Sequence, residues 1–344
     1  MNLRVGMIAP ISHPYPPGGY GPWERVTHDL TERLVVDGHD VTLFAPRGSV
    51  TSARLVETVP AALETAQGGD PRLEEQTHLA IAMEAAAEGQ FDVVHSHLHV
   101  HALVFGRLIG APLLTTLHGA AWNKEHHPLL RRYADMPFVS ISNKERAFLP
   151  ELNYVATIPH GIAVGQIPTG TGGGDYLVFL GRLAPEKAPD LAMEVAARSG
   201  MPLLMAGPVD EAHRDFFEWL MGRRPRNVDY LGPVERSDVW ELLGEAKALL
   251  MPLRWDEPFG LVVVEALATG TPVVAWNMGS MPEIVADGST GFIVDDVDMA
   301  VAKLGRIGDI RREDCRRSAE TSFSDVRMAD SYASVYRRLQ PKHR

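Results

Sequence analysis

The sequence predicts an α/β protein built from two doubly wound parallel sheets, one in each half of the chain. Short apolar runs alternate with segments of helical spacing in both halves, which is the pattern of successive β-α-β units. A polar, glycine-rich stretch at residues 165–174 separates the two series and is predicted to be a flexible linker. The length of 344 residues suits two domains. We therefore place the domains at residues 1–164 and 165–322.

Composition narrows the class of protein. A hydrophobic fraction of 45% and a charged fraction of 22% are typical of a globular protein. The formal net charge of -11 opposes nucleic-acid or anionic-lipid binding as a general mode. The single cysteine, Cys315, excludes an intrachain disulfide and suits a reducing compartment. Since no apolar run reaches about 18 residues, we expect a cytoplasmic protein without a membrane span.

The first half begins with a strand, a glycine-rich turn and a helix. Gly18, Gly19 and Gly21 lie in that turn and would let the backbone approach a ligand closely, but they match neither the dinucleotide fingerprint nor the P-loop. Further apolar runs predict the remaining strands of this half. The predicted strands are Leu3 to Ala9, Val41 to Ala45, Phe91 to His95, Leu113 to Leu117, Pro137 to Ser140 and Ala156 to Pro159. The predicted helices are Val26 to Val35, Leu79 to Ala87, one starting within Val100 to Leu108 and one after Ser142.

Histidines cluster at the ends of two of these strands. His95, His97, His99 and His101 alternate, so an extended chain would place all four imidazoles on one face, as a zinc site needs. The absence of a nearby Cys or carboxylate favours the alternative, in which histidines line a ligand-binding edge at the carboxyl ends of the strands. His118 ends the next strand and has two interpretations, as a capping or core histidine and as a ligand-facing one; its position favours the second.

The second half repeats the alternation. Its predicted strands are Tyr176 to Leu180, Pro202 to Ala206, Val228 to Leu231, Val273 to Ala275 and Gly291 to Val294. Its predicted helices are Asp190 to Ser199, one through Phe216 to Trp219, Val239 to Ala246 and Phe323 to Leu339. Arg182 and Lys187 follow the first of these strands. Alone they would be surface charges, but a fork-shaped donor and a point charge at a strand end suit a diphosphate.

The stretch from Trp255 to Ala275 carries the strongest chemical signal. Its sequence is W-D-E-P-F-G-L-V-V-V-E-A-L-A-T-G-T-P-V-V-A. We predict a helix that starts near Gly260, whose first amides lack intrahelical partners and would bind an anion. Glu265 would lie one turn inside this apolar helix, where an ionised carboxylate needs a partner. A salt bridge to a neighbouring Arg or Lys and hydrogen bonds to ligand hydroxyls are both open.

This stretch resembles the E-x7-E signature of glycosyltransferase family 4, whose members are retaining, nucleotide-sugar-dependent enzymes. Other family motifs follow in the same order: the glycine turn, T-T-L-H-G, and G-R-L-x-x-x-K with Ala188 in place of the glycine that usually follows the lysine. I-P-H-G-I-A departs from the family, which has Asn where His160 stands and an acidic residue where Ala163 stands. The resemblance implies the GT-B fold, in which two Rossmann-like domains face an interdomain cleft, and a terminal helix, here 323–344, that returns to the first domain.

The resemblance also implies roles for individual residues. Those implied to bind the donor are Gly18 and Gly19 at the diphosphate, Arg182 and Lys187 at the diphosphate, the amides of Gly260, Leu261 and Val262, Val234 at the base, and Glu265 at the ribose hydroxyls. Those implied to orient the transferred sugar are His118, Glu257, Phe259 and Gly260. Of these, His118 and Glu257 are the predicted catalytic residues.

The expected reaction is transfer of a hexosyl group, with retention of configuration, from a nucleoside diphosphate-sugar, with a UDP-sugar as the favoured donor. The expected acceptor is a hydroxyl of a small molecule or an oligosaccharide, such as an antibiotic of the orthosomycin type. No metal or other cofactor is expected, because Asp296-Val297-Asp298 follows a strand and is predicted to cap a helix and not to hold a metal. The alternatives are a nucleotide-sugar epimerase on the same fold and a sugar-nucleotide-binding protein without turnover. A phosphorylase would need a lysine that binds pyridoxal phosphate, and the sequence does not indicate such a lysine. The oligomeric state is not predicted.

Overall fold

The computed structural model describes residues 2–19, 21–66, 68 and 70–340. They divide into two domains. Domain 1 comprises residues up to Ile162 and those from Asp325 onward, and domain 2 is Ala163–Ser324. The terminal helix is thus part of domain 1; residues 341–344 of its predicted span lie outside the described residues.

Domain 1 is built on a seven-stranded parallel sheet in the order β3-β2-β1-β4-β5-β6-β7. Its strands are β1 Arg4–Ile8, β2 Asp40–Pro46, β3 Arg54–Val59, β4 Val93–Ser96, β5 Leu113–Thr116, β6 Phe138–Ser140 and β7 Tyr154–Thr157. Its α-helices among the described residues are α1 Pro22–Val36, α2 Pro71–Ala87, α3 His127–Arg132, α4 Asn143–Arg146 and α12 Asp325–Leu339.

Domain 2 is built on a six-stranded parallel sheet in the order β10-β9-β8-β11-β12-β13. Its strands are β8 Leu177–Leu180, β9 Leu203–Ala206, β10 Val228–Tyr230, β11 Ala248–Met251, β12 Val273–Trp276 and β13 Gly291–Val294. Its α-helices are α5 Pro189–Ser199, α6 Arg214–Met221, α7 Arg236–Glu245, α8 Leu261–Ala268, α9 Met281–Ile284, α10 Val297–Leu304 and α11 Arg312–Ser322.

The central strands are short, apolar and buried on both faces, as parallel sheets covered by helices require. All four residues of β8, β11 and β12 are buried. The prediction of two doubly wound α/β domains is therefore confirmed. Among the described residues, no helix is both long and apolar enough to cross a membrane.

Each sheet has one point at which its strand order reverses. In domain 1 this point lies between β1 and β4, and in domain 2 it lies between β8 and β11. The loops that leave the carboxyl ends of two such strands run in opposite directions and open a crevice, which is where open α/β sheets bind their ligands. The topology thus selects the loops after β1, β4, β8 and β11 as the places to look for a site.

Two local predictions were wrong. Residues 165–174 do not form a free linker, because Gly170 and Gly172 donate to the carbonyl oxygens of Thr269 and Gly244 at 2.9 and 3.0 Å. A Cβ on Gly170 would clash with the Gly244 backbone, so this glycine permits close packing and does not mark flexibility. The helix predicted within Val100 to Leu108 is reduced to one 3-10 turn, Leu103–Phe105.

Candidate functional site

In domain 2, the loops after β8 and β11 meet at the point of strand reversal. The Arg254 amide donates to the Glu186 carbonyl oxygen at 2.9 Å, which ties the two loops together. Lys187 from the first loop forms an ion pair with Glu257 from the second, and both side chains are mostly buried. The Trp255 indole N–H donates to Glu257 Oε2 at 2.9 Å, and the Lys187 ammonium lies 5.0 Å from the centre of the Trp255 ring. A cation and a carboxylate are thus held together where a ligand is expected.

The loop after β12 forms hydrogen bonds that hold the Pro-Phe-Gly turn at residues 258–260 and the two residues before it. Gly279 donates its amide to Asp256 Oδ1 at 2.9 Å, and the Ser280 amide donates to the Glu257 carbonyl oxygen at 3.0 Å. The Ser280 hydroxyl donates to the Phe259 carbonyl oxygen at 2.8 Å. The Phe259 ring is buried and packs edge-on against Phe323, so it anchors the turn in the core. Its predicted contact with the sugar stays a prediction.

Helix α8 begins next to Glu257, as the sequence predicts. Gly260 precedes it with φ +89°, in the left-handed region that favours glycine, and a Cβ there would lie 2.8 Å from Met281 Cε and 3.7 Å from Glu257 Cγ. The amides of Leu261 and Val262 belong to the first turn, which has no preceding helical carbonyl to accept from them. Such amides and the positive end of the helix dipole attract anions, so the predicted anion site would lie beside the Lys187–Glu257 pair.

Arg182 lies on the same loop as Lys187 but is engaged by carboxylates. Its two terminal nitrogens donate to Asp210 at 2.8 Å and to Glu186 at 3.0 Å. A diphosphate predicted at Arg182 has to compete with these two acids. Ala188, where the family has glycine, adopts φ +52°, a conformation that costs a residue with a Cβ roughly 1–2 kcal/mol.

Glu265 has the partner that its position demands. Arg236, at the start of α7, places a guanidinium nitrogen 3.3 Å from Glu265 Oε1, and both side chains are partly buried. Val234 is half-buried and stands two residues before Arg236, in the loop between β10 and α7. The salt bridge alternative is therefore observed, while the predicted contact of Glu265 with ribose hydroxyls stays a prediction.

In domain 1, the predicted residues lie on loops at the carboxyl edge of the sheet. Gly18 and Gly19 are exposed in the loop after β1, and a Cβ on either would meet nothing within 4 Å. His118 follows β5, is buried and adopts φ +50°. Its Nε2 lies 2.7 Å from His97 Nδ1, and its Nδ1 lies 3.3 Å from His160 Nε2. Burial, followed by the neighbouring imidazoles, lowers the pKa of His118 well below its ordinary range.

The four alternating histidines, of which His95 lies in β4 and the others follow it, do not share one face. His95 Nδ1 lies 2.8 Å from the Tyr336 hydroxyl and its Nε2 lies 2.8 Å from the Thr116 hydroxyl. His97 bonds to His118, whereas His101 is half-exposed near Glu75. His99 adopts φ +51°, so the chain turns there and the extended arrangement needed for a common face is lost. In the part of the chain that the structure describes, no three His, Cys, Asp or Glu residues are grouped to hold a metal ion.

Glu145 supports the turn after His118 and was not singled out by the sequence. Its carboxylate is buried and accepts from the Gly119 amide at 2.6 Å and from the Ile141 amide at 2.9 Å. Burial raises its pKa to about 7 against the opposing effect of these amide donors. The Ser142-to-Glu145 spacing of a capping box was the available signal, and Ser142 does cap α4 by accepting from the Glu145 amide.

Trp255 and Arg236 also contact predicted site residues but were not predicted, because sequence spacing does not identify side-chain partners. Trp255 borders the signature and could have been chosen on that ground. Arg236 is one of many cations, so no pattern selects it as the partner of Glu265. The predicted helix cap at Asp296 is confirmed, since its carboxylate accepts from the Met299 amide at 2.7 Å.

Comparison with known proteins identifies the family and supports the fold. The family model described as "Glycosyltransferase Family 4" matches residues 23–164, and the model described as "Glycosyl transferases group 1" matches residues 169–320. A glycogen synthase of Mycobacterium tuberculosis is 27% identical over 85% of this chain and 83% of its own length. A phosphatidyl-myo-inositol mannosyltransferase of Mycolicibacterium smegmatis is 28% identical over 89% of this chain and 85% of its own length. The crystal structure of AviGT4, a glycosyltransferase involved in avilamycin A biosynthesis, is 25% identical, with a TM-score of 0.70 over 98% of both chains.

Two doubly wound domains with parallel sheets, together with the two family-model matches and the similarity to AviGT4, define a glycosyltransferase of the GT-B fold. The two matched regions together extend from residue 23 to residue 320 with a short gap between them. The chain belongs to glycosyltransferase family 4 and uses a sugar-nucleotide donor and an acceptor.

Proposed function

We propose that this enzyme transfers a hexosyl group with retention of configuration, without a metal ion, from UDP-sugar to a hydroxyl of a small-molecule or oligosaccharide acceptor. The observation that carries this proposal is the arrangement of Lys187, Glu257 and the first amides of α8 at the strand reversal of domain 2. Cationic and amide donors there suit the two negative phosphates of the donor. The Glu257 carboxylate beside them suits a sugar hydroxyl.

The nucleoside is assigned to the neighbouring groups of domain 2. Glu265 and Arg236 form a pair, and Val234 precedes Arg236 by two residues, so a ribose at Glu265 would have its base near Val234. A carboxylate is an acceptor with four lone-pair sites, which allows Glu265 to bind a guanidinium and ribose hydroxyls together. Phosphates at Lys187 and at the amides of Leu261 and Val262 complete the donor site.

The acceptor assignment rests on similarity. AviGT4 is involved in avilamycin A biosynthesis and resembles this chain over nearly its whole length. We therefore infer an acceptor that is a small molecule or an oligosaccharide with free hydroxyls, such as an antibiotic of the orthosomycin type.

Replacing Glu265→Gln is expected to weaken UDP binding by about tenfold to hundredfold, because a neutral amide forms weaker hydrogen bonds to ribose hydroxyls than a carboxylate. Isothermal titration calorimetry with UDP measures this change. Arg236→Gln is the matched control, since it breaks the same salt bridge but keeps the carboxylate. Suppose that Glu265→Gln binds UDP as tightly as the wild type, while Glu265→Gln and Arg236→Gln both lose stability. Glu265 would then have only a structural role.

Transfer is expected to proceed unchanged in the presence of a chelator. The charge that develops on the leaving diphosphate is met by Lys187 and by the first amides of α8, so no divalent cation is needed to stabilise it. Initial rates with excess EDTA and with added Mg²⁺ or Mn²⁺ test this expectation. Activity that EDTA abolishes and that either metal restores would contradict it.

The product is expected to keep the anomeric configuration of the donor. Retention by double displacement needs a nucleophile on the sugar face opposite the leaving group. Glu257 instead lies beside the phosphate-binding groups, paired with Lys187 and Trp255. We therefore infer a front-face route in which the departing phosphate takes the acceptor proton while Lys187 and the α8 amides stabilise its charge.

Under this route, Glu257→Gln slows transfer on the order of 10²-fold, since it removes the charge that holds Lys187, but traps no intermediate. Anomeric proton NMR of the product and mass spectrometry of both the wild type and the variant under slow turnover are the measurements. An inverted product, or a glycosyl adduct on Glu257 of the wild type, would rule the route out.

A further inference from the structure

Arg254, in the loop after β11, contacts the segment that follows β8 at three residues. Its amide donates to the Glu186 carbonyl oxygen at 2.9 Å. Its guanidinium donates to both carboxylate oxygens of Asp190, each at 2.6 Å, and to the Pro185 carbonyl oxygen at 3.4 Å. Two of these partners precede Lys187 in the chain and the third follows it, so Arg254 brackets this lysine.

The pair of Arg254 with Asp190 is a fixed connection between two elements. A guanidinium that donates to both oxygens of one carboxylate is held in a single planar geometry. Asp190 lies in the first turn of α5, where the helix dipole favours a negative charge, and its side chain is 21% exposed against 41% for Arg254. An ion pair at this exposure contributes little to global stability. Its main effect is local, because it ties the start of α5 to the loop after β11.

The turn that carries Lys187 needs such support. Ala188, the next residue, is buried and has φ +52°, in the left-handed region that residues with a Cβ seldom adopt. A backbone conformation of this kind persists where the surrounding structure holds it in place. Arg254 contacts the chain on both sides of Ala188, at Pro185 and at Asp190. These contacts therefore supply support that the turn itself lacks.

The ammonium end of Lys187 is held by the same segment of chain. It forms an ion pair with Glu257 and lies 5.0 Å from the centre of the Trp255 ring. Both partners stand within three residues of Arg254 in the loop after β11, and all of these residues belong to domain 2. One loop thus fixes both the backbone and the charged group of Lys187. Loss of the Arg254 side chain would release the backbone end and leave the ammonium partners in place.

We propose that Arg254 and Asp190 are positioning residues for sugar transfer, which act through Lys187. By fixing the turn on which Lys187 stands, they set the position of its ammonium group relative to Glu257 and to the first amides of α8. This position matters most when charge develops on the leaving phosphate, because a preorganised cation then needs no rearrangement. The proposal rests on the proposed function, since it takes Lys187 as a group that stabilises the leaving diphosphate.

The first test compares kcat with UDP affinity, measured by steady-state kinetics and by calorimetry. Arg254→Met is expected to lower kcat by about tenfold to hundredfold, because displacing a catalytic group by about 1 Å has an effect of this size. UDP affinity should fall much less, since the α8 amides and Glu265 keep their places. Arg254→Lys keeps the charge but cannot form the planar two-bond pair, so it should recover only a small part of the rate.

Arg198→Met is the matched control for this substitution. Arg198 is paired with two carboxylates, those of Glu194 and Asp298, and its side chain is 44% exposed, close to the 41% of Arg254. It stands near the carboxyl end of α5, at the other end of the helix from Asp190. Its replacement should leave kcat within about twofold of the wild type. An equal loss of kcat in Arg254→Met and Arg198→Met, or no loss in Arg254→Met, would overturn the proposal.

The second test asks whether Arg254 acts through Lys187. In a Lys187→Ala protein the cation that Arg254 positions is absent, so adding Arg254→Met should change kcat by less than about twofold. Asp190→Asn combined with Arg254→Met should be no slower than Arg254→Met alone, because both substitutions break the same pair. A further loss of about tenfold in either double variant would overturn the proposal, since it would show an effect that does not pass through the lysine.

The third test needs no substrate. The Lys187 amide donates to the Ala184 carbonyl oxygen at 3.0 Å, and the Ala188 amide donates to that of Pro185 at 3.2 Å. Hydrogen exchange of these two amides reports opening of the turn and should be faster in Arg254→Met than in the wild type. Equal exchange in the two proteins would overturn the proposal. Absence of transfer by the wild type would instead overturn the proposed function, and the exchange rates would still decide whether Arg254 holds the turn.

Discussion

Acidification from pH 7.5 to pH 5.5 is expected to remove about 5 kcal/mol from the free energy of unfolding of domain 1. The cause is the cluster of four buried histidines, His95, His97, His118 and His160, whose pKa values burial lowers below the ordinary value of 6.5. Below pH 6.5 the unfolded chain binds protons that the folded chain does not. Each histidine then costs about 1.4 kcal/mol for each pH unit. A loss of this size is comparable with the whole stability of a typical domain.

Other titrating groups of domain 1 modify this estimate without reversing it. Burial lowers the pKa of further histidines, which adds to the acid sensitivity; these are His28, His39, His78 and His99. Burial raises the pKa of three acids, which favours the folded state as the pH falls; these are Glu24, Glu145 and Asp325. The histidines outnumber the acids, so the net effect of acidification remains a loss of stability.

Hydrogen exchange of the β4 and β5 amides at pH 7.5, 6.5 and 5.5, corrected for the intrinsic exchange rate, measures the stability of domain 1 alone. His160→Asn is the matched variant, because it removes one titrating group at a position where the family has Asn. It should reduce the loss between pH 7.5 and 5.5 by about 1.4 kcal/mol. Protection that does not change with pH would mean that these histidines are protonated in the folded protein.

Replacing Lys187→Ala is expected to lower kcat on the order of 10²–10³-fold, the effect typical of removing one group that stabilises developing charge. Lys187 forms an ion pair with Glu257, close to the start of α8. The Trp255 ring helps to hold the Lys187 ammonium group in place. Lys187→Arg keeps the charge but spreads it over a planar fork, so we expect partial activity. Steady-state kinetics with saturating donor measure both variants.

Lys247→Ala is the control for this substitution. Lys247 is also paired with a carboxylate, that of Asp175, but it precedes β11 and so lies at the amino edge of the same sheet. It should leave kcat within twofold of the wild type. Since Lys187→Ala also leaves the mostly buried Glu257 without its cation, thermal unfolding must accompany the kinetics. A folded Lys187→Ala protein with less than a tenfold loss of kcat would remove Lys187 from the proposed leaving-group site.

Most of the fold could be predicted from the sequence because its central strands are short apolar runs between glycine and proline turns. The strands β3 and β11 were missed for different reasons. β3 is an edge strand whose Arg54 and Glu57 are exposed, so its run is interrupted by charge. β11, with the sequence A-L-L-M, uses residues that favour helices as strongly as strands, directly after α7. Burial between β8 and β12 decides its conformation, and burial is a tertiary property.

The site could be predicted only in part. The helix start at Gly260 follows from local spacing, since glycine and the adjacent apolar run specify where α8 begins. The same local spacing places the Glu257 carboxylate beside that helix start. The partners of Glu265 and His118 come from residues 29 and 42 positions away, Arg236 and His160, and no local pattern encodes such contacts. The linker prediction failed in the same way, because the close contact of Gly170 with Gly244 exists only in the folded domain.

The most direct test of the central claim is a transfer assay with purified protein, a panel of nucleoside diphosphate-sugars and hydroxyl-bearing oligosaccharide acceptors, followed by mass spectrometry. We expect one acceptor to gain a hexose from a UDP-sugar, with release of an equal amount of UDP. Lys187→Ala should lose both signals, while Lys247→Ala should keep them. Conversion of the donor sugar into an epimer, or tight donor binding without any product over the whole panel, would contradict this claim and favour the epimerase or the non-catalytic binding protein.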